Sequence, residues 1–254
     1  MQRADVLLVE RRQAKTRTHA QRLIKEGHVC LKNGTNTQLL TKPGLKVPDD
    51  CELIVTAEQD KYVSRGALKL EGALAHFKID VNNTIAIDVG QSTGGFTDCL
   101  LQQGAKVVIG IEVGHDQLDE ALRSDPRVIC YEGMNARSLP VSLLEHTSPM
   151  SNGFDIAVMD VSFISQTKIL PSLVPLIANG GHLVSLVKPQ FEVGKANIGK
   201  GGIVKDTSLF THVEQLIRDT CHALNLDIHG YIESPITGGD GNREFLLWAQ
   251  KNDS

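Results

Sequence analysis

Long apolar runs are missing from this chain of 254 residues. No stretch approaches the roughly 18 consecutive apolar residues that a membrane helix needs. The opening Met1-Gln2-Arg3-Ala4-Asp5 runs into Glu10-Arg11-Arg12 without one, so neither a membrane span nor a secretory signal is expected. Cysteine is sparse: Cys30, Cys51, Cys99, Cys130 and Cys221 are odd in number and far apart. No pair has the spacing of a zinc site or a redox motif. That excludes a disulfide-stapled scaffold and a zinc finger, and fits a reduced, cytoplasmic setting. Histidine, cysteine and carboxylates nowhere cluster as metal ligands do, so no metal is expected. Hydrophobic residues at 41% and charged residues at 22% support a buried core, in one large domain or two unequal ones.

Acidic residues are scarce at one end only. Residues 1–47 hold ten Lys and Arg against three Asp and Glu; the remainder holds 16 against 27, within a net charge of −4. A basic head on an acidic body points to a small polyanion-binding module joined to a domain with another task. In the head, residues 18–27 read as a short helix. Thr18 and Gln21 have capping-box spacing. Ala20, Leu23 and Ile24 share a face, and Gly27 is placed to end the helix. Val6, Leu7 and Leu8 form an apolar patch for that face. Residues 29–33 read as a strand entering an Asn33-Gly34 turn, Lys42-Pro43-Gly44 as a second turn, and Leu53-Ile54-Val55 as a closing strand. The other face of the helix carries Arg17, Arg22 and Lys25, joined by Arg11, Arg12 and Lys15. Arg3 and, beyond the head, Arg65 complete the candidate polyanion-contacting set. Such a surface meets phosphates without reading sequence.

From about residue 63, strand-like and helix-like segments alternate, which predicts a mainly parallel sheet covered on both faces. Strands are expected at 85–89, 107–112, 128–131, 154–159, 182–187, 226–232 and 244–249. Helices are expected at 96–103, 118–123 and 209–224, and a run at 165–177 is interrupted by Pro171 and Pro175. The fold class is therefore α/β. Seven strands, the last two adjacent without an intervening helix, suit the mixed sheet of a Rossmann-like class I methyltransferase better than a dinucleotide-binding domain. The expected division is 1–60 for a small N-terminal α+β polyanion-binding domain and 61–254 for the larger one.

The turn from Asp88 to Thr97, Asp-Val-Gly-Gln-Ser-Thr-Gly-Gly-Phe-Thr, sits between the first of these strands and its helix, where open α/β sheets bind nucleotides. It lacks Gly-Lys-Ser/Thr and departs from G-x-G-x-x-G, so it is no ATP or GTP loop. Gly90, Gly94 and Gly95 permit close backbone approach, and Ser92, Thr93 and Phe96 complete the candidate cofactor loop. Glu112 ends the second strand, where a carboxylate can accept from two ribose hydroxyls. Asp88 at the loop start suits a cationic amine or a bound water rather than a pyrophosphate. S-adenosyl-methionine has a ribose and a free amino acid and no phosphate.

Four charged residues stand where this fold places reacting groups: Lys69 just before the first strand, Asp160 ending the fourth, Lys188 ending the fifth and Glu244 starting the last. A ribose 2′-hydroxyl is a poor nucleophile, so a base must take its proton as it attacks a methyl group. A lysine does this when burial or a second cation disfavours its charged form. Asp160 is a cofactor candidate as well. The glycine- and lysine-rich segment from Pro189 to Asp206 is long for a loop and reads as a lid that contacts RNA.

Two resemblances rest on these residues. Arg3-Ala-Asp-Val-Leu-Leu8, Thr16-Arg-Thr-His-Ala20 and Ile24-Lys-Glu-Gly-His-Val29, with the Asn33-Gly34 turn, resemble the small RNA-binding fold of ribosomal protein S-four, which implies binding to structured RNA. Tyr62-Val-Ser-Arg-Gly-Ala-Leu-Lys-Leu70, the loop from Asp88 to Asp98, Asp160-Val-Ser-Phe-Ile164, Val187-Lys-Pro-Gln-Phe-Glu192 and Gly202-Ile-Val204 resemble the TlyA family, also labelled haemolysin A. That likeness covers nearly the whole chain. Its catalytic half is similar to the FtsJ-like methyltransferases, whose Lys-Asp-Lys-Glu tetrad falls on Lys69, Asp160, Lys188 and Glu244. The resemblance implies S-adenosyl-L-methionine as cofactor, a cytidine 2′-hydroxyl in 16S and/or 23S ribosomal RNA as substrate, and ribosomal RNA or ribosomal subunits as partners. Ala67, Gln91 and Glu112 depart from the commoner wording with Gly, Ala and Asp. Gln91 is expected to bring a long side chain near the cofactor. A non-catalytic RNA-binding protein on the same fold stays open. A membrane-lytic protein is disfavoured, because no segment has the required amphipathic basic face.

Overall fold

The computed structural model describes residues 1–14, 16–33, 36–56, 61–148, 152–239 and 241–252. Lys15, Gly34 and Thr35 lie outside the described residues. The chain forms two compact units, Met1–Lys61 and Tyr62–Ser254.

In the first unit, β1 (Gln2–Arg3) leads into α1 (Ala4–Glu10), α2 (Arg17–Lys25), β2 (Val29–Asn33), β3 (Asn36–Leu39), β4 (Lys46–Val47) and β5 (Glu52–Val55). β1 pairs with β4, and β2 is the centre of a three-stranded antiparallel sheet between β3 and β5. Leu7 and Leu8 of α1 pack with Ala20, Leu23 and Ile24 of α2 and with Val29 and Leu53 of the sheet. The helix starts earlier than expected. Thr16, not Thr18, is the cap, its Oγ1 accepting from the His19 N–H at 3.2 Å. Gln21 is thereby released from capping and donates instead to Asp5 Oδ2 at 2.8 Å.

Asp5 is fully buried. Its carboxylate also accepts from Nε and Nη2 of Arg3, both at 2.9 Å, and from Nε of Arg17 at 3.1 Å. The Arg3 hydrogen bonds hold its carboxyl well below the usual carboxylate range, against the cost of burial. Two of the basic residues are thus fixed in place by one acid. Asp5→Ala is expected to destabilise this unit by about 2 kcal/mol, read by denaturant unfolding. Because the folded carboxyl titrates below its unfolded value of about 4, the wild-type advantage is full above that pH and lost as pH falls further.

The second unit contains α3 (Ala67–Phe77), β6 (Ile85–Val89), α4 (Gly95–Gln102), β7 (Val107–Glu112), α5 (Glu120–Arg123) and β8 (Val128–Glu132). They are followed by β9 (Phe154–Met159), α6 (Leu170–Leu173), β10 (Ile177–Val187), α7 (Pro189–Glu192), α8 (Leu209–Ala223), β11 (Leu226–Glu233) and β12 (Phe245–Lys251). The sheet runs β11-β12-β10-β9-β6-β7-β8. β10, β9, β6, β7 and β8 are parallel, and β12 is antiparallel to both neighbours. This is the seven-stranded mixed sheet expected. Alternate residues feed two cores: Ile87, Val89, Ile109 and Met159 on one face, Ala86, Val108, Ile156 and Val158 on the other, as strand periodicity requires.

Several bounds differ from expectation. β10 begins five residues early, at Ile177. The helix expected at 118–123 is one turn, Glu120–Arg123. Glu244 precedes β12 instead of starting it. The long segment after Lys188 is not a plain loop. It contains α7, two short 3₁₀ turns and a bridge between Ile198 and Val204. Asn242, itself buried, ties it down by donating to the Gly202 carbonyl and accepting from the Val204 N–H.

Candidate active site

β6 and β9 are adjacent, yet the chain leaves β6 toward β7 and returns to β9 on the other side. That makes their carboxyl ends the switch point of the sheet, where such folds bind ligands. Gly90 follows β6 with φ +84°, and a Cβ there would lie 2.4 Å from the Asp160 carbonyl oxygen. Only glycine permits this approach. The Asp160 N–H in turn donates to the Val89 carbonyl at 3.0 Å. The glycine turn and Asp160 are therefore locked together at the backbone.

Lys188 leaves β10 next to β9. Its Nζ lies 2.6 Å from Asp160 Oδ1 and donates to Ser162 Oγ at 2.9 Å. β12 runs antiparallel with Val187 opposite Phe245, so the residue before Phe245 falls beside the one after Val187. This brings in Glu244, whose Oε2 is 2.5 Å from Lys69 Nζ on α3. Lys69 and Glu244 are both buried. Lys188 and Glu244 face one hollow of about 250 Å³, with Ser162, Phe163 and Phe191 on its walls. The four charged residues thus form two neighbouring ion pairs, Asp160–Lys188 and Glu244–Lys69.

The candidate cofactor residues divide. Glu112 accepts from the backbone N–H groups of Ser92 and Gly114, both at 2.8 Å. It lines a cleft of about 500 Å³ with Gly90, Ser92, Asp160 and apolar walls that include Ile111 and Ile164. Ser92, Thr93, Gly95 and Phe96 line an adjoining hollow of about 220 Å³ that also touches Asp160 and Lys188. Gly94 lines neither; with φ +95° it packs where a Cβ would meet Leu118 and Leu122.

Asp88 departs from expectation. It alternates with Ile87 and Val89 along β6, so its side chain points to the sheet face under α4 instead of into the cleft. It is fully buried. Oδ2 accepts from Thr97 Oγ1 at 2.7 Å, while Oδ1 has no hydrogen-bond partner among the described residues. Burial pushes its carboxyl up to about 7, with the Asp160 charge adding to the rise and the Thr97 hydrogen bond opposing it. Gln91 departs too. Its side chain turns inward, donates to Thr97 Oγ1 at 2.8 Å and occupies the space above Gly110 that a Cβ would fill. A small residue on β7 accommodates a large one in the loop.

In the first unit, Arg3 and Arg17 are half-exposed while anchored to Asp5. Arg11 is committed to the backbone, donating to the carbonyls of Cys51 and Asp49. Arg12 and Lys25 are exposed, and Arg22 pairs with Glu26 at 3.9 Å. In the second unit, Arg65 is exposed and donates to the Thr237 carbonyl at 3.1 Å. The sequence reading did not single out Ser162, Phe163 or Phe191. Phe163 is 92% exposed and adopts φ +64°, an outlying conformation for a bulky residue. Its ring lies 5.1 Å from that of Phe191. Position in the Asp160-Val-Ser-Phe motif, and for Phe191 in Val187-Lys-Pro-Gln-Phe-Glu192, was the available signal.

Comparison with known proteins identifies the family. Residues 62–251 match the model of the FtsJ-like methyltransferase family, and residues 2–48 match the S4 domain. The Bacillus subtilis protein YqxC is 45% identical over 97% of this chain and 84% of its own. The 16S/23S rRNA (cytidine-2′-O)-methyltransferase TlyA of Mycobacterium tuberculosis is 40% identical over 97% of this chain and 88% of its own. A solved Streptococcus thermophilus chain that carries a hemolysin name superimposes with a TM-score of 0.76 at 43% identity, covering 99% of this chain and 89% of that one.

The buried Asp88 yields a pH prediction. A carboxyl raised in the folded state lowers stability as pH rises between its unfolded value, about 4, and its folded one. Asp88→Asn is expected to gain on wild type across that window and to keep the advantage above pH 7. Thermal unfolding measured from pH 4 to 8 checks it.

Proposed function

Because the chain belongs to the FtsJ-like methyltransferase family and carries an S4 domain ahead of that region, we propose that it methylates the ribose 2′-hydroxyl of a cytidine in 16S and/or 23S ribosomal RNA. S-adenosyl-methionine is the methyl donor in this reading. The observation that carries it is Lys188, placed between the Asp160 carboxylate and the hollow it shares with Glu244. The substrate is the one that the name of the mycobacterial relative specifies.

The cleft suits such a donor. Glu112 offers carboxylate oxygens to a ribose, Ile111 and Ile164 offer apolar walls to a base, and Asp160 offers negative charge where the cleft meets Lys188. When bound, S-adenosyl-methionine supplies a methyl group already activated on a sulfonium, so the protein needs positioning and proton removal. In its neutral amine form Lys188 takes the proton of the attacking hydroxyl at Nζ, and the ammonium so formed pairs with Asp160. Asp160 and Ser162 orient that amine; Glu244, held by Lys69, bounds the hollow from the opposite side. Phe163 presents an exposed ring beside the hollow, a surface on which an unpaired base can stack. Arg3, Arg12, Arg17, Arg22 and Lys25 serve the RNA backbone through charge, and Arg65 adds a cation on the second unit. Ribosomal RNA as substrate sets the work in the cytoplasm.

Retention of the fold without catalysis is disfavoured by the complete set of two ion pairs. For the hemolysin name carried by a related chain, no helix among the described residues is long and apolar enough to cross a membrane.

Lys188→Ala is expected to abolish methyl incorporation into ribosomal RNA while calorimetry finds donor affinity unchanged. Normal turnover by this variant defeats the role of Lys188 as base. Reversing the charges of Arg17, Arg22 and Lys25 together is expected to weaken RNA binding and to flatten the dependence of log affinity on log salt by about 0.9 per lost phosphate contact on a duplex. A filter-binding salt series reads that slope.

A further inference from the structure

We infer that Glu192 is a positioning residue for methyl transfer: it cross-links the two segments that carry Asp160 and Lys188 and so sets the distance between them. This rests on the function proposed above and adds a residue outside the two ion pairs.

The need for such a cross-link follows from the sheet. The parallel pairing of β9 with β10 ends at Met159 opposite Ser185. Beyond it the two segments have no common ladder. One carries Asp160, Ser162 and Phe163; the other carries Lys188 and Phe191. Each therefore holds half of the ion pair and half of the aromatic pair. Phe163 also holds a left-handed backbone conformation, which persists only where its surroundings determine it.

Glu192 closes the gap at the far end of both segments. Its Oε2 accepts from Ser165 Oγ at 2.5 Å, and its Oε1 accepts from the Gln166 N–H at 2.9 Å. Gln166 is itself buried against β10: its Nε2 donates to the Leu186 carbonyl at 2.6 Å, and its Oε1 accepts from Ser185 Oγ at 2.7 Å. The β9 segment is thus held at Asp160 by Val89 and at Ser165–Gln166 by Glu192 and β10. Between these anchors, Ser162 reaches Lys188 Nζ. Both Glu192 oxygens are engaged within the protein, so its effect passes through the geometry of Lys188, Asp160 and Phe163.

The test uses the full chain with ribosomal RNA that lacks the modification. Glu192→Ala removes both acceptors and is expected to lower kcat about 100-fold, the scale of a misplacement near 1 Å at a reacting centre. The KM for RNA and the calorimetric affinity for S-adenosyl-methionine stay unchanged. Glu192→Gln keeps a carbonyl acceptor for the Gln166 N–H and an amide that can bond to Ser165, and is expected to restore most of kcat. Ser165→Ala removes one of the two contacts and is expected to fall between, which keeps the test available where Glu192→Ala does not fold. Wild-type kcat in Glu192→Ala or Ser165→Ala, or a loss in either variant that follows only its folded fraction, overturns the inference alone. Wild-type protein that binds the donor but methylates no ribosomal RNA overturns the proposed function, and this inference with it.

Discussion

The close approach of Gly90 to the Asp160 backbone is the constraint on which the rest of the site depends. Two parallel strands that diverge in chain direction must end side by side, and a side chain at position 90 would hold them apart. Once they meet, the parallel ladder sets Lys188 one strand further on, and the antiparallel β12 delivers Glu244 next to it. Four residues separated by as many as 175 positions in the chain are thereby gathered through strand order and register.

Charges gathered in this way are a costly means of stabilising a fold. Burying an amine and a carboxylate costs desolvation that their attraction only partly offsets, and apolar residues of similar volume would often be as stable. The Lys69–Glu244 pair is almost wholly withdrawn from water, and the Asp160–Lys188 pair is only partly open to it. Such pairs at the end of an otherwise apolar sheet are what make this a candidate site for chemistry. Asp5 in the first unit is the structural counterpart. It is equally buried, but its partners are half-exposed arginines on the surface. There a buried acid organises cations that meet solvent, and with it any polyanion that comes to them.

Much of this was legible in the residues. The basic bias of residues 1–47, the alternation of strands and helices, and the seven-stranded count followed from composition and periodicity, because burial on a sheet face or helix stripe leaves its mark on every turn of chain. Asp160, Lys188 and Glu244 were legible as charges at the ends of apolar strands, where a charge needs a reason, and Lys69 as a charge ahead of the first strand. Other readings did not carry over. Thr18 matched a capping box, but Thr16 captures the helix start. Asp88 stood at the mouth of the loop in sequence, but strand alternation turns it under α4.

Sequence alone determined most element types, the division into a basic head and an acidic body, and the four charged residues of the candidate site, since these depend on local pattern and on residue chemistry. Tertiary structure decided which acid pairs with which amine, the burial of Asp88, the exposure and strained backbone of Phe163, and the cross-link through Glu192. Those depend on register and on what lies across the gap between strands, and no local stretch of chain contains that information.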